Sequence, residues 1–124
     1  MDLTEASAVI TGGASGIGEA SARKLSALGA RCVIVDLQDD KGEAVAKELG
    51  GLYVKADVAN EEQVQAAMDA ATEMGPLRAL VNGAGIGSAS RTVDRNGEPM
   101  PLAQFEFVIR VNLIGTFNCT RLGA

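Results

Sequence analysis

The 124-residue chain contains no histidine and no tryptophan, only one tyrosine and three phenylalanines, and only two cysteines. Without histidine, and with Cys32 and Cys119 far apart and outside any Cys-x-x-Cys spacing, neither a zinc site nor a disulfide framework is expected. Both thiols read as plain core residues. With so few rings, the core must be made of Ala, Val, Leu and Ile, side chains small enough to let helices sit close to a sheet. No apolar run approaches the ~18 residues of a membrane span, and Asp2 and Glu5 are incompatible with a signal peptide, so the cytoplasm is the expected location. The net charge of −5 comes with no basic stripe able to neutralise phosphates, which argues against nucleic acid as a partner. A small, locally polarised ligand suits this surface better.

What is present is ordinary globular composition, 47% apolar and 22% charged, in a length that allows one domain at most. Two kinds of segment alternate. Residues 7–11 (SAVIT), 32–36 (CVIVD), 52–56 (LYVKA) and 79–83 (ALVNG) are short apolar runs bounded by Gly, Asp or Asn and read as buried strands. Between them lie helical patterns. Ile17, Ala20, Leu25 and Leu28 share one face, and Val64, Ala67, Met68 and Ala71 follow the i, i+3, i+4, i+7 rule behind an Asn60 and Gln63 N-cap pair. The segment 40–49 has one apolar side, through Val45 and Leu49. This βαβαβαβ order predicts an α/β fold, a doubly wound parallel sheet of the Rossmann type that ends after about four strands in the order 3-2-1-4.

The loop after the first strand carries the strongest functional signal. TGGASGIG places glycines at 12, 16 and 18 directly after an apolar strand and directly before an amphipathic helix. Glycine admits φ > 0 and lets a pyrophosphate approach without a Cβ in the way, while free amides at a helix start attract an anion. A P-loop would need Lys after Gly18, where Glu19 stands, and strict Gly-x-Gly-x-x-Gly would need glycine at Ser21. Asp36 ends the second strand 18 residues beyond Gly18, where a carboxylate can accept from ribose hydroxyls and would repel a 2′-phosphate. Leu37, Gln38 and Ser15 supply no compensating cation, so NAD is expected over NADP. Asp57 and Val58, after the third strand, would lie beside an adenine ring.

These residues resemble the short-chain dehydrogenases/reductases. The family's Thr-Gly-x-x-x-Gly-x-Gly pattern falls on Thr11, Gly12, Gly16 and Gly18, its NAD-selecting acid on Asp36, and its adenine-side Asp-Val on Asp57 and Val58. Its Asn-Asn-Ala-Gly appears as Asn82, Gly83, Ala84 and Gly85, with glycine in place of the second Asn. The resemblance covers the whole chain and adds Ser15, Ile17 and Leu37 to the expected cofactor-binding residues. It also places the family's active-site Asn at Asn112, in VNLIGTF. There the family's Asn distorts its helix and holds a water that passes protons to a catalytic Lys, a distortion that Gly115 would ease. Leu102, Phe105, Ile109, Asn112 and Thr116 share one helical face, which directs Asn112 toward the sheet.

The family's Ser, Tyr and Lys have no match here, since Tyr53 is followed four places on by Asp57 rather than Lys. The resemblance therefore implies that residues 1–124 are the NAD-binding half of an enzyme interconverting a secondary alcohol and a ketone, with the gene expected to continue into Tyr-x-x-x-Lys. It implies a homo-oligomer, dimer or tetramer, and a fragment that does not persist alone as a monomer. The segment 86–118 is similar to the branch holding type-2 3-hydroxyacyl-CoA and hydroxysteroid dehydrogenases. Arg91, Asp94, Arg95, Asn96, Gly97 and Glu98 would form its charged hairpin, turning at Asn96-Gly97. Two alternatives are a non-catalytic NAD-sensing module and an S-adenosylmethionine methyltransferase, whose loop glycines are spaced differently.

Overall fold

A computed structural model describes residues 2–124. It contains a four-stranded parallel sheet in the order β3-β2-β1-β4, as the alternating pattern predicts. The strands are β1 (Ser7–Thr11), β2 (Arg31–Asp36), β3 (Leu52–Lys55) and β4 (Leu77–Asn82), within one or two residues of the expected bounds. Connecting them are α1 (Gly16–Ala27), α2 (Asp39–Leu49) and α3 (Glu61–Met74), and after β4 come α4 (Leu102–Ile109), a π-turn over Arg110–Ile114, and α5 (Gly115–Gly123).

The period-2 alternation of the central strands divides the core in two. Ala8, Ile10, Cys32 and Ile34 point to one face and pack with Ala22, Val45 and Ala46 of α1 and α2. Val9, Val33 and Val35 point to the other, against Val64, Ala67, Met68 and Ala71 of α3 and Cys119 of α5. Asn60 caps α3 as expected, its side-chain oxygen accepting from the Gln63 amide at 3.0 Å.

The inward face of α1 differs from the periodic reading. Gly18 and Ala22 are its buried residues, whereas Ile17 is 83% exposed and Leu28 52%. The helix starts close to the sheet, so the closest contact falls on these small residues, while Leu25 of the expected face packs at the edge of the core, partly buried. Tyr53 packs as expected, its ring lying where a Cβ on Gly42 would be. Its hydroxyl donates to the Asp36 carbonyl at 3.0 Å and to Asp39 at 2.8 Å.

The charged hairpin forms between Val93 and Pro99, but its turn is displaced by one residue. The Gly97 amide donates to the Asp94 carbonyl, which centres the turn on Arg95 and Asn96. Gly97 follows at φ 80°, the left-handed position of a three-residue hairpin loop. The helix after it also departs from its pattern: Leu102 and Phe105 are exposed, and the buried residues lie further along, at Gly115, Asn118 and Cys119. Gly115 has ordinary helical angles. It is small because the Val58 side chain occupies the place of its Cβ, which makes it a packing residue.

Two glycines of the β1–α1 loop have φ > 0, for different reasons. A Cβ on Gly12 (φ +63°) would stand 2.5 Å from the Gly83 carbonyl oxygen, while one on Gly16 (φ +57°) would meet nothing within 4 Å. Alanine in the left-handed region costs about 1–2 kcal/mol, and forcing atoms into packed backbone adds about 1–3 kcal/mol. Gly12→Ala should therefore lower the urea unfolding midpoint well beyond Gly16→Ala, and equal losses would contradict this packing. The cysteines supply a second expectation. Burial pushes both thiols up, Cys119 from 9.0 to about 11. A raised folded-state value means that the neutral thiol contributes stability in full below pH 9, lost as pH rises through about 11. Unfolding midpoints should fall across that window, and less so in Cys119→Ala.

Candidate functional site

The carboxyl ends of β1, β2 and β3 and the loops after them enclose a cleft of 520 Å³, at the point where the connections from β1 diverge to either side of the sheet. Gly12, Ser15, Gly16, Ile17 and Gly18 form its floor. Following the strand order, Asp57 and Val58 line it after β3, Asp36 and Leu37 after β2, and Gly83, Ala84 and Gly85 after β4. These twelve residues, predicted from separated motifs, come together.

The floor is held by backbone contacts. A Cβ on Gly18 would enter the Gly12 carbonyl oxygen, and one on Gly83 would stand 2.6 Å from the Thr11 carbonyl. Glycine at 83 is thus required by the loop it packs on, and no side chain reaches out from it. Thr11 completes the junction: its buried hydroxyl donates to the Val81 carbonyl at 3.4 Å and accepts from the Ala84 amide at 3.2 Å. The Ser15 side chain makes no cap hydrogen bond to the first turn of α1. The start of that helix lines the cleft with its positive dipole end.

Two carboxylates set the polarity. Asp36 Oδ2 accepts from the Ala14 amide at 3.1 Å, and Oδ1 accepts from Leu37 at 2.8 Å and Gln38 at 3.1 Å. The acid at the end of β2 therefore also anchors the glycine loop. Asp57 Oδ1 accepts from the Ala59 amide at 2.9 Å, and Oδ2 from the Arg110 guanidinium at 2.8 Å. Partial burial pulls the Asp57 carboxyl upward, but the Arg110 and Ala59 hydrogen bonds outweigh it and hold it below the ordinary value.

Asn82 and Asn112 are not on the cleft wall. The Asn82 amide donates to Thr120 at 3.3 Å. Asn112 lies in the middle of the π-turn, so the expected helix distortion is present at the expected residue. Its side chain is exposed and does not point at the sheet. It grips the chain leaving β4, accepting from the Ile86 amide and donating to the Ile86 carbonyl, both at 2.8 Å. The buried amide of this region is Asn118, which donates to the Val58 carbonyl at 2.9 Å.

Sequence reasoning missed Arg110, Phe107, Val111 and Ile86, which close the cleft on the side of the π-turn. Nothing in the local pattern of FEFVIRVN marks an arginine that reaches a carboxylate 53 residues earlier. Among the described residues no cluster of three or more His, Cys, Asp or Glu suits a metal ion, and no helix is long and apolar enough to cross a membrane.

Comparison with known proteins places this geometry. The family description "short chain dehydrogenase" matches residues 6–124. The chain is 46% identical over 121 residues to 3-hydroxyacyl-CoA dehydrogenase type-2 of Rattus norvegicus, spanning 94% of this chain and 46% of that protein. It is 41% identical over 118 residues to a mitochondrial borneol dehydrogenase of Lavandula x intermedia, spanning 94% and 44%. The crystal structure of 3-hydroxyacyl-CoA dehydrogenase type-2 from Mycobacterium avium superposes with a TM-score of 0.90 at 44% identity, covering 96% of this chain and 47% of that one. The chain thus spans about half the length of the relatives it matches. A methyltransferase is ruled out by the same match, and the chain belongs to the short-chain dehydrogenase family.

Proposed function

We propose that residues 1–124 form the dinucleotide-binding half of an NAD-dependent oxidoreductase that interconverts a secondary alcohol and a ketone. The observation that carries this reading is the convergence of the glycine floor, the Asp36 carboxylate and the Asp57–Val58 wall on one cleft. The residues fit a dinucleotide: Gly16 leaves open space where a Cβ would stand, beside the uncapped start of α1, which suits a diphosphate. Asp36 would hold the adenosine ribose, and Asp57 and Val58 the adenine. When bound, NAD supplies the hydride acceptor.

NAD is favoured over NADP by the charges at hand. Among the described residues lining the cleft, Arg110 is the one cation, and it is paired with Asp57. A 2′-phosphate at Asp36 would meet a carboxylate and no compensating charge. Asn112 is proposed to hold a water in a proton path, as its family counterpart does. Its grip on Ile86 supports a second task, shaping the chain after β4. Of the substrates, a 3-hydroxyacyl thioester comes first and a hydroxysteroid or short secondary alcohol next, the first supported by the names of the relatives at 46% and 44% identity. A homo-oligomer acting in the cytoplasm completes the reading.

Calorimetric titration of the intact protein tests this. NAD should bind at least about tenfold more tightly than NADP, the effect of roughly 1.4 kcal/mol of uncompensated repulsion, and S-adenosylmethionine should not bind. Asp36→Ala should narrow the ratio while weakening both dinucleotides, because the glycine loop loses its anchor at Ala14. Equal affinity of the unmutated protein for NAD and NADP would overturn the proposal.

A further inference from the structure

The ion pair between Arg110 and Asp57 joins elements 53 residues apart in the chain. Arg110 opens the π-turn, Asp57 opens the loop between β3 and α3, and both line the cleft. The two side chains are 45% and 34% exposed, and such a half-solvated pair adds little to stability. Orientation is a stronger reason for it. A carboxylate offers about four acceptor positions, and here one oxygen is held by the Ala59 amide and the other by Arg110.

The remaining acceptor positions belong to a group that cannot swivel. Asp57 is fixed from its backbone side too, where its amide donates to Gln63 Oε1 at 2.8 Å. Arg110 is fixed in turn, because two residues on Asn112 locks the same turn to Ile86 with two hydrogen bonds. Resting on the proposal that the cleft takes NAD, we infer that Arg110 is the positioning residue for the purine end of the dinucleotide. It holds the Asp57 carboxylate so that its free acceptor positions receive the purine 6-amino group.

A purine that carries an amine at this position donates to the carboxylate, whereas one that carries a carbonyl presents an acceptor to an acceptor and is repelled. The site would therefore read the six-position of the base, and the reading would depend on Arg110 although Arg110 itself does not bond the amine. Arg110 reaches the carboxylate through one nitrogen, Nη1 to Oδ2, so the orientation is set by this charged hydrogen bond together with the Ala59 amide on the other oxygen.

The test compares NAD with nicotinamide hypoxanthine dinucleotide, which differs in having a carbonyl in place of the 6-amino group. Dissociation constants are measured by calorimetry on the intact protein, with thermal unfolding of each variant as a control. The unmutated protein should prefer NAD by about tenfold or more, the worth of a hydrogen bond to a charged group. Arg110→Gln should bring the two constants to within about twofold, chiefly by weakening NAD. Asp57→Asn, which keeps its volume and presents an amide, should also collapse or reverse the preference, and it serves if Arg110→Gln fails to fold. An unchanged preference in the folded variants, or an equal loss of both dinucleotides, overturns the inference while leaving NAD binding intact as a reading. If the unmutated protein binds neither dinucleotide, the nucleotide proposal falls and this inference with it.

Discussion

Backbone meets backbone where the β1–α1 turn crosses the exit of β4, and most of the site depends on that contact. Gly12, Gly18 and Gly83 touch there with no side chain between them. Because the turn sits so low, α1 starts directly over the end of the sheet, and its fully buried residues are the small Gly18 and Ala22. The same closeness leaves Ile17 83% exposed and lining the cleft instead of joining the core. Glycine therefore does two distinct jobs within one motif. Gly12, Gly18 and Gly83 let the protein approach itself, and Gly16 leaves space for something else.

The second constraint is electrostatic. A protein with a net charge of −5 has no general attraction for a phosphate, so the proposed dinucleotide site would have to supply its attraction locally. The backbone dipoles at the start of α1 would do so, and the two carboxylates of the cleft are satisfied from the protein itself. Asp36 takes three backbone amides and Asp57 takes one amide and one guanidinium. An acid so held stays oriented, and it accepts hydrogen bonds without needing solvent to keep it in place.

Much of this was legible in the residues because it rests on short-range rules. Short apolar runs bounded by Gly, Asp or Asn mark β1 to β4, and such buried strands can lie in few places in a parallel sheet. The Asn60 cap is a three-residue pattern and was found by spacing alone. Readings failed where the packing partner is remote. Of the α1 face only Leu25 packs on the core, since placing Ile17 and Leu28 there ignores how near the sheet lies; the Leu102 and Phe105 face ignores the π-turn, and Gly115 owes its size to Val58, 57 positions away in sequence. The turn of the hairpin was missed because Asp94 gathers the Asn96 and Glu98 amides on its own carboxylate, which favours a turn centred one residue earlier than Asn-Gly suggests.

The π-turn then joins the halves of the cleft. In a regular helix, residues two apart point nearly opposite ways, at 100° per residue. Arg110 and Asn112 use this, one reaching across to the loop after β3 and the other to the chain after β4. A wider turn of five residues between α4 and α5 lets both anchors be met while Val111 still lines the cleft and Gly115 still seats on Val58. The turn thus has three neighbours to satisfy, and a straight helix presents its side chains in a fixed progression that need not match them. A residue proposed for proton handling and a residue proposed for base recognition consequently share one short segment, each tied to a different side of the cleft.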